Sequence, residues 1–183
     1  MRVIETEIPA VKRVVPVRHG DARGWFSETF RADILAANGI ANGFVQDNQS
    51  FSGPKGTIRG LHFQLAPAAQ AKLVRVLSGS ILDVAVDIRR DSPTFGRHVA
   101  VRLDAEGGEQ LFVPAGFAHG FCTLEPDTVI AYKVDAYYSR EHDRAITWND
   151  PGLGIVWPVA EAEAHLSDKD RAAPRMADLP ILF

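Results

Sequence analysis

Short β-type segments, closed one after another by glycine or by a Pro-Asp turn, are what most restricts the folds open to this chain. They cover residues 2–6, 11–17, 44–51, 57–63, 71–77, 79–88, 97–103, 109–113, 117–124, 128–135 and 145–148. Gly56, Gly79, Gly96, Gly107–Gly108, Gly116 and Pro126–Asp127 punctuate them. Strands this brief and this evenly spaced predict an all-β sandwich or barrel. Helix signals are few. Arg31 to Asn38 carries Ile34 and Leu35 and stops at Gly39, which predicts one short helix, and Glu161 to Leu166 predicts another. With no repeat, low-complexity tract or linker, residues 1–183 read as one domain, the more polar stretch after Pro158 lying against the barrel.

Alternation says which side chains share a face. In 71–77 one face holds Lys72, Val74 and Val76; in 128–135 one holds Ile130, Tyr132 and Val134; in 117–124 one holds His119, Phe121 and Thr123. Each apolar face carries one polar residue, the pattern of a barrel interior that is core for most of its length and a pocket at one place. One conflict arises. Strict alternation puts His62 with Ile58, Gly60 and Gln64 and turns Arg59 the other way. If both line the pocket, the strand must bulge or twist, and Gly60 is where that is easiest.

These residues make a definite chemistry. His62, in Arg59-Gly60-Leu61-His62-Phe63-Gln64, is a weak base, and Lys72 is a cation on the next strand. A base beside a fixed ammonium is what removal of a proton α to a carbonyl requires, the imidazole taking the proton and the ammonium holding the charge on oxygen. Taken singly, most candidates have plainer readings: a barrel His satisfied by backbone, Arg23 or Arg59 as turn or surface charge, Tyr132 as core, Tyr137 and Tyr138 as rim, Lys169–Asp170 as solvated tail. A buried Lys without a role is rare, however, because desolvating an ammonium is costly. Two arginines near one pocket suit a diphosphate, Gln46-Asp47-Asn48 suit either a turn or the polar edges of a base or sugar, and an Asp reaching a catalytic His fixes its tautomer.

Other classes fall away on composition. A net charge of −3 gives no basis for nucleic-acid binding or a polybasic membrane surface. Cys122, the one cysteine, sits in an apolar strand and reads as core. No signal peptide opens the chain and no apolar run nears the ~20 residues of a spanning helix, so the expectation is a soluble cytoplasmic protein. A metal site is the rival chemistry: Pro114-x-Gly116-x-x-His119 fits the last element of a metal-binding cupin. But Gln64 stands where a second His is wanted and Lys72 where the Glu is wanted, and a cation there opposes a divalent ion.

The chain closely resembles the dTDP-4-dehydrorhamnose 3,5-epimerase family. The likeness runs through Asp21-x-Arg23-Gly24-x-Phe26-x-Glu28, Gln46-Asp47-Asn48-x-Ser50, Arg59-Gly60-Leu61-His62-x-Gln64 and Lys72-Leu73-Val74-Arg75-Val76. It continues through Asp83 to Arg89, Ser92-Pro93-Thr94-Phe95-Gly96, Pro114-x-Gly116-Phe117-Ala118-His119-Gly120-Phe121, Tyr137–Tyr138, Trp148-x-Asp150-Pro151 and Ser167-x-Lys169-Asp170. The resemblance implies a metal-free, cofactor-free cupin-type jelly roll working as a homodimer, with an N-terminal strand crossing to the partner. It implies His62 as base paired with Asp170, Lys72 as enolate stabiliser, Tyr132 as acid on the opposite face of the sugar, and His119 as polarising the ketone or holding the sugar. It further implies substrate contacts from Arg23, Glu28, Gln46, Asp47, Asn48, Arg59 and Lys169, stacking on thymine by Tyr138, and a contact from Asp143, at a position that is often Glu. Tyr132 and the full motif set favour double epimerisation; a mono-epimerase acting at C3 or C5 and a non-catalytic nucleotide-sugar-binding barrel are the alternatives.

Overall fold

The computed structural model describes residues 1–180 and 183. Its strands, numbered in chain order, build two antiparallel sheets and a hairpin. One sheet runs β1 (Arg2–Glu5), β2 (Lys12–Val15), β10 (Gln110–Val113), β7 (Lys72–Ser78), β12 (Thr128–Val134), β5 (Gln46–Ser52). The other runs β13 (Asp143–Ala145), β6 (Ile58–Gln64), β11 (Phe117–Thr123), β8 (Ser80–Asp87), β9 (His98–Asp104). The hairpin joins β3 (Arg18–Asp21) to β4 (Gly24–Ser27). From β5 onward the chain crosses from sheet to sheet at almost every turn, staying in one sheet only between β8 and β9. That winding is the cupin-type jelly roll, as expected.

Alternation decides what fills the space between the sheets. Val74 and Val76 of β7, Ile130 of β12 and Leu111 of β10 meet Ile81 and Ala85 of β8, Val99 of β9, and Phe117 and Phe121 of β11, all buried. Burial of aliphatic and aromatic side chains of this size is worth about 1.5–3 kcal/mol each, so this seam dominates stability. The outer faces are also covered. Helix α1 (Ala32–Ala37) lays Leu35 over Val14, Leu73 and Phe112. The C-terminal segment lays Trp157, Met176 and Leu179 over Leu61, Phe63, Val84 and Val86. Covering both faces explains why β8 reads as almost continuously apolar. Cys122 is fully buried, and burial pushes its thiol up to about 11, which suits packing and not reactivity.

Four local expectations need correction. The helix expected over 161–166 is a single 3-10 turn, Glu161–Glu163, which buries no residue; the chain then extends so that His165 can bridge to Thr57. The strand expected over 11–17 stops at Val15, because Pro16 follows and has no N–H to give a ladder. The strand expected over 145–148 lies at Asp143–Ala145, and Ile146 then exchanges both backbone hydrogen bonds with Leu61 at 2.9 and 3.0 Å. The β3–β4 hairpin is not among the expected strands at all. Its polar, glycine-containing segments lack an apolar alternation because the hairpin packs little: Trp25 and Phe26 are 59% and 67% exposed.

Candidate active site

The conflict over Arg59 and His62 is settled by a register shift. On β11, His119 pairs with His62 and Phe121 pairs with Arg59, so β6 uses one more residue than its partner over this interval. The extra residue falls at Gly60–Leu61 and restores both Arg59 and His62 to the inner face, while Ile58, Leu61 and Phe63 pack outward. Gly60 takes φ +126° there, and a Cβ on it would lie 2.5 Å from Cα of Gly120 and 2.7 Å from the His119 carbonyl oxygen. Only glycine fits.

Two adjoining cavities open between the sheets. The inner one, about 220 Å³, is lined by Arg59, His62, Lys72, His119, Tyr132 and Asp170, with Ser50, Phe121, Ile130 and Ser167 completing the wall. The outer one, about 240 Å³, shares His62, Lys72 and Tyr132 and adds Gln46, Asn48, Tyr138, Asp143 and Lys169. His62 and His119 are cross-strand neighbours on one sheet. Lys72 and Tyr132 come from β7 and β12, neighbouring strands of the other. The imidazoles therefore stand on one wall and the phenol on the facing wall.

Each functional group is held by its neighbours. His62 Nε2 lies 2.5 Å from Asp170 Oδ1, and Asp170 is 3% exposed. Asp170 sits in α2 (Asp168–Arg171), capped by Ser167, whose hydroxyl donates to Asp170 Oδ2 at 2.7 Å and accepts from its backbone N–H at 3.1 Å. Burial pushes the Asp170 carboxyl up, but hydrogen bonding with His62 and Ser167 prevails and holds it below the ordinary value, so it stays ionised. Lys72 is buried, its Nζ donating to the His62 carbonyl oxygen at 3.2 Å. Desolvation brings its ammonium down to about 8, against the attraction of Asp83 and Asp143. Burial raises the Tyr132 phenol, with Arg59 opposing, and keeps it protonated. Arg59 is itself fixed by Ser52 Oγ at 3.2 Å and the Phe51 carbonyl oxygen at 2.9 Å.

The outer cavity is organised by polar cross-links. Gln46 donates to Asn48 Oδ1 at 2.8 Å. Asp143 Oδ2 accepts from Lys169 Nζ at 2.5 Å and from the Tyr138 hydroxyl at 3.2 Å, and Tyr138 remains 59% exposed. Gln64 accepts from the Ser139 N–H at 2.7 Å and donates to the Tyr137 carbonyl oxygen at 3.2 Å, which pins the loop carrying that ring.

Three expected site residues do not reach these cavities within the chain. Asp47 lies on the opposite face of β5 from Gln46 and Asn48, as alternation requires, and binds Lys133 at 2.9 Å. Arg23 pairs with Asp21 on the exposed hairpin and Glu28 pairs with Arg31. In the other direction, two residues that the sequence reading did not assign enter the site. Ser167 orients Asp170, and Asp83 binds His119. The signal for Asp83 is a carboxylate inside the otherwise apolar run Ile81-Leu82-Asp83-Val84-Ala85-Val86.

The sequence profile described as dTDP-4-dehydrorhamnose 3,5-epimerase matches residues 5–178. The chain belongs to that family. A dTDP-4-dehydrorhamnose 3,5-epimerase from Sinorhizobium fredii is 53% identical over 96% of this chain and 90% of its own. A dTDP-6-deoxy-D-glucose-3,5-epimerase from Legionella pneumophila, solved in complex with dTDP-4-keto-L-rhamnose, superposes with a TM-score of 0.92 at 45% identity, covering 97% of this chain and 94% of that one. A 3'-monoepimerase from Streptomyces bikiniensis is similar at 34% identity and a TM-score of 0.87, over 95% of this chain and 87% of that one. It was solved with dTDP as a variant in which one His and one Tyr are replaced, the same sequence interval apart as His62 and Tyr132. This family member is an isomerase with no helix, among the described residues, long and apolar enough to cross a membrane.

Proposed function

We propose that this family member inverts C3 and C5 of dTDP-4-dehydro-6-deoxy-D-glucose to give dTDP-4-dehydro-L-rhamnose, through an enolate. The observation that carries the reading is the placement of an imidazole and a phenol on opposite walls of one cavity with a buried ammonium beside them. C3 and C5 both lie α to the C4 ketone, so one enolate-stabilising group serves both inversions. His62, oriented through Nε2 by Asp170, takes the proton from carbon at Nδ1. Lys72 holds the negative charge that moves to the C4 oxygen, and Tyr132 returns a proton to the other face. An imidazole with an ordinary pKa of ~6.5 is too weak to deprotonate such carbon unaided, so most of the barrier reduction falls to Lys72.

The outer cavity suits the nucleotide. The exposed Tyr138 ring offers a stacking surface for thymine, Gln46 and Asn48 offer amides, and Lys169, with Arg59 from the adjoining inner cavity, offers cations for the diphosphate. Asp143, already engaged by Lys169 and Tyr138, fixes those two groups with a shorter arm than Glu. Arg23 and Glu28 enter through a homodimer, in which the exposed hairpin of one protomer reaches the cavity of its partner. Neither metal nor redox cofactor is needed for the balance of atoms. A divalent ion is also poorly matched to a donor set in which each imidazole already faces a carboxylate and an ammonium stands beside them. The working form is a cytoplasmic homodimer on this reading.

Incubation with the 4-keto sugar nucleotide in deuterated water tests it: label is expected at both C3 and C5, with the L-sugar trapped by a reductase. A second reading, inversion at one carbon only, is favoured by the similarity to the 3'-monoepimerase, whose paired His and Tyr mean that Tyr132 alone does not separate the two activities. Label at a single carbon selects it, and no label in protein that binds dTDP returns the chain to a binding role. Tyr132→Phe is expected to abolish net inversion at one centre while wash-out of α-protons by His62 continues. Loss of all exchange in that variant removes Tyr132 from the role of acid.

A further inference from the structure

The cavity holds a second His–Asp pair that the reaction as described leaves without a defined part. His119 Nε2 lies 2.7 Å from Asp83 Oδ1, and Asp83 is 0% exposed. Asp83 Oδ2 has no hydrogen-bond partner among the described residues. A fully buried carboxylate with one oxygen orphaned is expensive and persists only for a reason. The carboxylate comes from β8, at the strand position level with Phe121 and not with His119, so it approaches the ring from the side away from β6. His119 Nδ1 makes no hydrogen bond among the described residues, and the ring lines the inner cavity.

We infer that Asp83 is a positioning residue that holds His119 as the neutral Nε2–H tautomer, turning Nδ1 to the cavity as a hydrogen-bond acceptor for a sugar hydroxyl beside the reacting carbon. The inference rests on the epimerase reading and chooses between the two parts expected for His119: it holds the sugar and does not polarise the ketone. The two dyads share one geometry, Nε2 to carboxylate with no hydrogen bond at Nδ1 among the described residues, but differ in solvation. The His62 side chain is 31% exposed and the His119 side chain 8%. The groups facing His119 are Asp83 from β8, Lys72 from β7 and His62 from β6. A second cation beside the Lys72 ammonium, with little water to disperse it, is disfavoured, and burial lowers the basicity of His119 accordingly. The net charge works out only one way. Asp83 and Lys72 neutralise each other across a neutral ring, so His119 accepts a hydrogen bond where His62, wetter, accepts a proton. A ring in this tautomer has no N–H to offer a ketone oxygen.

Long-range ¹H–¹⁵N spectra of the wild-type chain labelled at histidine nitrogen test this directly, with His119→Gln assigning the signals. A protonated Nε2 and bare Nδ1 at pH 7 are expected; a proton on Nδ1, in a neutral ring or an imidazolium, overturns the proposal. In Asp83→Asn the amide can donate to Nε2, so the proton should move to Nδ1 and kcat/KM should fall about 100-fold, in line with the effect of wrong tautomers and lost orienting partners elsewhere. A variant that merely loosened packing would lower Tm without moving the tautomer of the folded protein. Turnover within three-fold of wild type in folded Asp83→Asn overturns the role, and if that variant does not fold the wild-type spectrum decides alone. Failure of the wild-type chain to incorporate deuterium would sink the epimerase reading, a result separate from either outcome here.

Discussion

Lys72→Ala is expected to slow turnover by about 10²–10³-fold, as much as His62→Ala does. On the proposed mechanism the base is weak, so the proton leaves carbon only to the extent that the C4 oxygen is stabilised as charge arrives there. One preorganised donor in a water-poor site contributes about 3–4 kcal/mol to such a step. Lys72 meets the condition: it is 9% exposed and hydrogen-bonded to the His62 backbone, so its position follows that of the proposed base. The sign of the pH dependence follows from its lowered pKa. Below about 8 the ammonium is charged and active; as pH rises through that value the charge is lost and kcat should fall. Tyr132, shifted upward from its ordinary value, titrates too high to mimic this limb. Single-turnover rates across pH 6 to 10 provide the check, the alkaline fall being present in the wild type and absent from Lys72→Ala, and turnover in Lys72→Ala within a few-fold of wild type would remove Lys72 as the enolate stabiliser.

Gly60→Ala is expected to destabilise the protein by about 4 kcal/mol or more, and to leave whatever folds inactive. Two penalties coincide. A φ of +126° is a region that side chains rarely adopt, and the new methyl would sit 2.5 Å from backbone Cα of Gly120. Nothing flexible stands in the way to yield: the obstacles are backbone atoms of β11, and Gly120 is itself crowded, with a Cβ there meeting the Arg59 carbonyl oxygen at 2.8 Å. At roughly 2–4 °C per kcal/mol for a chain of this length, the fall in Tm should be about 10 °C. The functional loss has a separate cause. Without the extra residue at this point, Arg59 and His62 cannot both face inward, so a suppressor that restored stability by straightening β6 should not restore turnover. A thermal melt alongside turnover distinguishes the two, and a Gly60→Ala protein with wild-type Tm would show that β11 can yield.

Much of this was legible beforehand because alternation is a strong code. The inward faces of 71–77, 117–124 and 128–135 follow directly from period two, and with them the meeting of Lys72, His119 and Tyr132. The bulge was legible as a contradiction, since Arg59 and His62 had opposite parity and Gly60 lay between them. What alternation could not convey was anything that depends on distant segments. Asp170 reaches His62 across 108 positions from a short helix that no periodicity announces. Asp83 stood out as a carboxylate in an apolar run, but its partner His119 appears only once β8 is placed beside β11. Nor does the sequence tell a buried hairpin from an exposed one, and β3–β4 escaped notice because it packs little and so carries no apolar alternation.

The remoteness of Asp170 makes the C-terminal segment part of the site. Every strand of both sheets precedes Asp170 in the chain, the last of them ending at Ala145, whereas Ser167 and Asp170, which complete the wall of the inner cavity, come after it. Without that segment His62 has no Asp170 carboxylate to hold it, and on the proposed mechanism the base loses its orienting partner. On that mechanism catalytic competence is tied to a segment that follows the last strand. A truncation ahead of Asp170 would also strip Met176 and Leu179 from the outer face of the second sheet, so loss of turnover and loss of stability are expected to come together.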